Sequence, residues 1–195
     1  MDTALIRRVL RVNWWNLALG HSVLETASAT FVRNTRLPGI YDANFIFNVT
    51  ATTRNEIEAL MVRAAQEYSY AARLTFRVDP FTPPPFEAEL VAREYTRSEG
   101  LLLLLEGNLL HEPKPCDTRP IVSDAEWRSY YELKNLDWCE HAHTLGVQND
   151  VDVALGLATS NRLKCPPGSV CTGLQERRTD RVLQRMGRSR WYRAS

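Results

Sequence analysis

Apolar and polar positions change period several times along this chain. Over residues 3–20 the period is helical. Leu5, Val9, Val12 and Asn16 fall near one stripe, Trp14, Trp15 and Leu19 widen it, and Gly20 supplies a stop. Thr26–Asn34 alternates around Phe31 and Val32, and Leu37-Pro38-Gly39 reads as a turn. Asn44–Val49 is rich in aromatic and β-branched residues, which predicts a strand. Thr53 then stands as a helix N-cap, with Glu56 three residues on in the capping-box position. The helix it opens runs to about Tyr68 and gathers Ile57, Leu60, Met61, Ala64 and Tyr68 on one face. Arg73–Val78 is a second strand, ended by Asp79-Pro80. Pro83–Pro85 starts a second helix with Phe86, Leu90, Val91 and Tyr95 as its apolar face. Leu101–Leu105, apolar throughout, predicts a third strand buried on both faces, and we expect residues 44–106 to share one core.

Strand, helix, strand, helix, strand with short connections is an α/β layer arrangement. His111–Pro115 reads as a linker, after which the pattern restarts. Thr118–Val122 predicts a short strand. Ser123 or Asp124 caps a long helix carrying Trp127, Tyr130, Tyr131, Leu133, Leu136 and Trp138. A further helix is predicted over about Asp150–Thr159. At Cys165-Pro166-Pro167 the periodicity stops. Residues 168–195 hold seven arginines, no lysine and two acids, a net +5, whereas the preceding 167 residues carry 17 bases and 21 acids, a net −4. With so few apolar residues, that tail is expected to lack regular structure.

The whole-chain charge of +1 points to no particular partner. Arginines 7, 8 and 11 interrupt the first nineteen residues, so no export signal is expected, and the five-leucine run at 101–105 is too short to cross a bilayer. Cysteines 116, 139, 165 and 171 form no Cys-x-x-Cys pair; they read as reduced, and the protein as cytoplasmic. The sequon Asn48-Val49-Thr50 reads as a coincidence within a strand.

Recognised chemistry is sparse. Nucleotide-binding glycine loops, the Gly-x-Ser-x-Gly elbow and His-Glu-x-x-His are all missing from the sequence. Cys139, His141 and His143 are the candidate metal cluster. On a helix Cys139 and His143 share a face while His141 points away, and two ligands do not close a tetrahedral site. They read as a half-buried cysteine and two surface histidines. Glu132, Asp137 and Glu140 could supply a general base but read as ordinary surface carboxylates. Trp14, Trp15, Trp127 and Trp138 read as core or interface anchors. The arginine tail has phosphate-binding charge but no recognition helix, so nucleic acid is not the expected partner.

The stretch Asp117-Thr118-Arg119-Pro120-Ile121-Val122-Ser123-Asp124-Ala125-Glu126-Trp127 resembles the first strand and first helix of the GNAT superfamily of acetyl-CoA-dependent N-acetyltransferases. By that resemblance residues 1–110 form a degenerate GNAT-like α/β unit, 111–116 a linker, and 117–167 the first strand and helices of a second, incomplete unit. Some bacterial members have two such units. The resemblance implies acetyl transfer from acetyl-CoA to an amine in an intact member. The family holds the cofactor pyrophosphate on backbone N–H groups at a helix start, in a Gln/Arg-x-x-Gly-x-Gly/Ala loop. Here Val49-Thr50-Ala51-Thr52-Thr53-Arg54-Asn55 occupies that place without glycine, and the second unit breaks off before it. No catalytic or cofactor-binding residue carries over, and this chain is expected to bind no acetyl-CoA. The expectation is a truncated, inactive family member, or a non-catalytic binding or scaffold module. Read one nucleotide later, codons permitted by 168–195 can encode two alternating strands around Asn-Gly, so the tail is also read as a shifted frame.

Overall fold

Residues 45–104 alternate strand and helix as their periodicity predicts, within a sheet that recruits strands from both ends of the chain. The computed structural model describes residues 2–104, 120–145, 156, 159, 162, 163 and 184–193. The chain divides into two units, Met1–Leu105 with Leu183–Ser195, and Glu106–Val182.

The first unit contains α1 (Thr3–Ala18), β1 (Ser22–Glu25), β2 (Thr30–Arg33), β3 (Phe45–Phe47), α2 (Arg54–Glu67), β4 (Thr75–Val78), α3 (Pro84–Ala92), β5 (Thr96–Leu104) and, from the end of the chain, β6 (Gln184–Arg193). Its sheet is mixed, ordered β1-β2-β3-β4-β6-β5. The β1, β2 and β3 strands pair antiparallel. The β3 and β4 strands, joined through α2, are parallel with Ile46 opposite Phe76. The β6 strand runs antiparallel to both β4 and β5.

Strand alternation sends side chains to two faces, and the helices divide between them. On one face α2 and α3 bring Ile57, Leu60, Met61, Ala64, Phe86 and Leu90 onto Phe31, Ile46, Phe76 and Val78. On the other, α1 brings Leu10, Trp14 and Ala18 onto Val32, Phe45 and Phe47. The single core expected for Phe45, Phe47, Leu74, Phe76 and the leucine run is therefore two cores. Phe76 and Leu74 belong to the first, and Phe45, Phe47 and Leu102 to the second. Phe31, Phe45, Phe76 and Phe86 are fully buried, each worth about 1.5–3 kcal/mol relative to exposure.

Other differences have local causes. The buried stripe of α1 is Leu10, Trp14 and Ala18, at i, i+4 and i+8, while Val12 is exposed. Tryptophan has the larger apolar surface, and its burial sets the helix rotation. Gly20, at φ 76°, does end the helix. Strand β1 showed no alternation long enough to read. Helix α3 stops at Ala92, where Glu94 turns the chain at φ 59°, so Val91 stays exposed and Tyr95 leaves the helix. Strand β5 starts five residues before the leucine run, and it is an edge strand with Leu101 exposed, not one buried on both faces. The sequon residue Asn48 lies just past β3, exposed and at φ 53°.

The tail departs most from expectation. Residues 184–193 form β6, with Arg190 in register between Val78 and Glu99 and Trp191 between Arg77 and Ser98. A strand flanked on both sides draws its stability from main-chain pairing, which composition does not reveal. Residues 168–183 lie outside the described residues, as do the linker 111–116 and Cys116, Cys165 and Cys171.

In the second unit α4 (Asp124–Leu145) is the predicted long helix. Ser123 Oγ accepts from Glu126 N at 3.2 Å, and the Glu126 carboxylate accepts from Ser123 N at 2.9 Å, a reciprocal cap. Trp127 is buried beside Tyr130 and Tyr131. Arg162 pairs with Asp124 and lies over the Trp127 ring at 5.5 Å. Residues 120–122 are not in a strand, contrary to expectation; Pro120 lacks the N–H a ladder needs. Residues 118 and 119 lie outside the described residues. Within the helix predicted over 150–159, Gly156 and Thr159 are helical and the rest lies outside them.

Candidate functional site

Two parallel strands with a helix rising from the end of one place a helix N-terminus beside the strand ends, a common site for ligands in α/β folds. In the first unit this place is the turn from β3 into α2. Asn48 takes a positive φ, Val49 and Ala51 are buried, and Thr50 ties the turn to the loop before β2 through Thr50 N to Ser28 O at 2.9 Å. The turn then exposes Thr52 and Thr53 at the helix start.

The N–H groups there already hold an anion. The Glu56 carboxylate accepts from Thr52 N and Thr53 N, both at 2.9 Å, and from Thr52 Oγ1 at 3.1 Å. Thr53 Oγ1 returns a bond from Glu56 N at 3.3 Å. The Thr53 N–H, then the Thr52 N–H, then the two hydroxyls hold the Glu56 carboxyl down to about 2. Thr53 and Glu56 were legible as a capping box. Thr52 as a further donor was not, because its role depends on where the chain enters the helix.

A second polar cluster lies under α1. Arg77 on β4 is almost fully buried, pairs with Asp42, and runs over the Phe45 ring at 4.8 Å and near the Trp14 ring at 5.7 Å. Thr75, two residues back on the same face, has a buried hydroxyl, and Trp14 a buried indole N–H; neither has a hydrogen-bond partner within the protein. One arginine and one threonine in a four-residue strand gave no sequence signal for this cluster.

A third cluster fixes the turn before β3. Asn44 Oδ1 accepts from Asn34 N at 2.9 Å and from the Tyr70 hydroxyl at 2.6 Å. Its Nδ2 donates to Leu37 O at 2.6 Å and Ile40 O at 3.0 Å. Nearby, the Tyr68 hydroxyl is shared between Val32 O and Phe45 O at 2.8 and 2.7 Å, and burial pushes its pKa upward. These groups are committed to holding strands together and offer no reactive atom. A shallow groove along the outer face of α2, between Asn55 and Glu67, carries mixed charge in ion pairs with Arg33 and Arg93.

The residues singled out from the sequence lie in the second unit. Cys139 is half-buried on α4, and residues 141 and 143 are helical, with their side chains outside the described set. Glu132 is exposed, and Asp137 pairs with Lys134 at 2.7 Å. The Glu140 and Trp138 side chains lie outside the described set. Among the described residues, no three His, Cys, Asp or Glu side chains come together to hold a metal, and no helix is long and apolar enough to cross a membrane. Comparison with protein-family models, with curated proteins and with solved structures finds no match for this chain.

Proposed function

We propose that this is a cytosolic GNAT-like protein that does not itself transfer acetyl groups, its first unit serving as a non-catalytic α/β scaffold or binding module. One observation carries the reading. Where the family would seat the cofactor pyrophosphate, the N–H groups of Thr52 and Thr53 are taken by the Glu56 carboxylate. A bound diphosphate would have to displace that carboxylate and lie against it, and like charges at such range repel. The lack of glycine between Asn48 and Asn55 adds side-chain bulk at the same point. The parallel β3–α2–β4 arrangement is compatible with the resemblance.

Isothermal titration of the full chain with acetyl-CoA is the test. The expected result is no saturable heat at micromolar concentrations. Low-micromolar binding competed by CoA would overturn the proposal.

A further inference from the structure

Helix α1 carries apolar residues on two sides. At ~100° per residue, Leu10, Trp14 and Ala18 make the inward stripe, and all three are buried on the sheet. Leu5, Val9, Val12, Asn16 and the C-cap Leu19 fall on the opposite side. Val12 is 66% exposed and Leu19 51%, and Leu5 and Val9 are half-buried. This outward row is the very stripe that the sequence periodicity picks out, and it runs ~21 Å along the helix. Apolar residues exposed singly need no explanation, but a contiguous row marks a contact surface.

The charge on this helix has one sign. Between Thr3 and Ala18 it holds Arg7, Arg8 and Arg11 and no acid. Arg7 lies over the Phe81 ring at 3.8 Å. Arg8 sits within the outward row and Arg11 at its margin. Both are exposed, and neither side chain has a hydrogen bond or ion pair among the described residues. Elsewhere in the first unit Arg33, Arg63 and Arg93 each lie on a glutamate. The outward side of α1 therefore joins an apolar row to positive charge that no carboxylate balances.

That charge selects the occupant. Two copies of α1 paired antiparallel about Val12 would bring Arg8 and Arg11 of both copies to one flank, and parallel pairing would set each against itself. Like charges repel, so a second copy is disfavoured. The complement is an anionic surface. Asn16 is the one uncharged polar side chain in the row, which offers contact area and charge with little directional hydrogen bonding. A helix with arginines beside an apolar row is the form that lies in the headgroup layer of a bilayer, drawing on apolar burial and on attraction to anionic lipid.

We propose that the outward side of α1 docks this protein on an anionic lipid bilayer, the helix lying in the surface without crossing it. Leu5, Val12 and Leu19 enter the boundary between headgroups and acyl chains, and Arg8 and Arg11 meet the lipid phosphates. The docking is independent of whether the first unit seats a cofactor.

Co-sedimentation of the full chain with lipid vesicles tests this. Wild type is expected to bind phosphatidylcholine vesicles carrying ~30% phosphatidylserine, to bind pure phosphatidylcholine at least ~10-fold less, and to lose affinity as salt rises from ~0.05 to ~0.5 M. Arg8→Glu/Arg11→Glu should weaken binding roughly 20-fold or more. Val12→Asp, which removes the most exposed apolar residue of the row, should weaken it roughly tenfold. Arg54→Glu/Arg73→Glu changes exposed arginines away from α1 and should stay within ~3-fold of wild type. Circular dichroism establishes that each variant keeps its fold, and either α1 variant decides the matter if the other does not fold. A wild type that ignores phosphatidylserine vesicles, including one that binds an acidic protein instead, would overturn the proposal. So would binding indifferent to salt, binding that falls equally in the Arg54/Arg73 control, or binding that survives the α1 changes and so belongs to another basic segment such as 168–195.

Discussion

Replacing Asn44 with alanine should destabilise the first unit by about 3 kcal/mol. Asn44 is 1% exposed, and its amide makes four hydrogen bonds, to Asn34 N, Tyr70 Oη, Leu37 O and Ile40 O. A typical bond contributes ~1 kcal/mol net, but a buried group left unsatisfied costs ~1–3 kcal/mol. Only the bond to Ile40 O is wholly buried; the other three partners can regain water in part. Taking ~1.5 kcal/mol for the Ile40 carbonyl and ~0.5 kcal/mol for each of the other three gives the figure. Tyr70→Phe removes one donor and should cost about 1 kcal/mol in wild type and almost nothing in the Asn44→Ala background. Hydrogen exchange of the β2 and β3 amides across a urea series reads this unit apart from the second. A loss below ~1 kcal/mol for Asn44→Ala, or a Tyr70→Phe cost equal in both backgrounds, would refute the reasoning.

Asp42→Asn should destabilise by about 2 kcal/mol, because it removes a counter-charge from nearly buried Arg77, while Arg77→Met should cost less; urea midpoints compare them. Glu56 titrates near 2 when folded and near 4.5 when unfolded, so its contribution is full above about 4.5 and lost as pH falls toward 2. The stability gap between wild type and Glu56→Gln, measured by urea unfolding, should therefore close over that window. With β6 seated in the sheet, limited trypsin digestion should leave the bonds after Arg188 and Arg190 intact, and deleting 184–195 should expose β4 and β5 to exchange. A tail released as early as any other segment would contradict this. The gene around the codon for Gly168 tests the shifted-frame reading: a neighbouring frame carrying Gln/Arg-x-x-Gly-x-Gly/Ala supports it, and an early stop codon there removes it.

Sequence pattern was most legible where one element met one environment. Helix α2 shows its buried face at i, i+3, i+4 and i+7 from Ile57 to Ala64, and its start at Thr53–Glu56, because cap and stripe are local. What was lost depended on contacts distant in sequence. Phe45 and Phe76 look alike as aromatic strand residues, yet which helix covers each is decided by topology. Strand β6 was invisible because its partners lie about a hundred residues earlier. At the candidate site, the missing glycine was readable, but the occupation of the Thr52 N–H by Glu56 required the fold.

The position of β6 bears on how this protein is made. Its ladder partners end at Leu104, and the strand itself begins at Gln184. A ribosome adding about 5–20 residues per second needs several seconds to cover that interval. Throughout it, β4 and β5 are already synthesised but lack the strand that joins them, and closing so long a loop adds entropic delay. The two strand edges that β6 fills, one on β4 and one on β5, therefore stay unpaired until residue 193 has been made. The exposure of those edges during synthesis is vectorial, confined to the interval before β6 emerges.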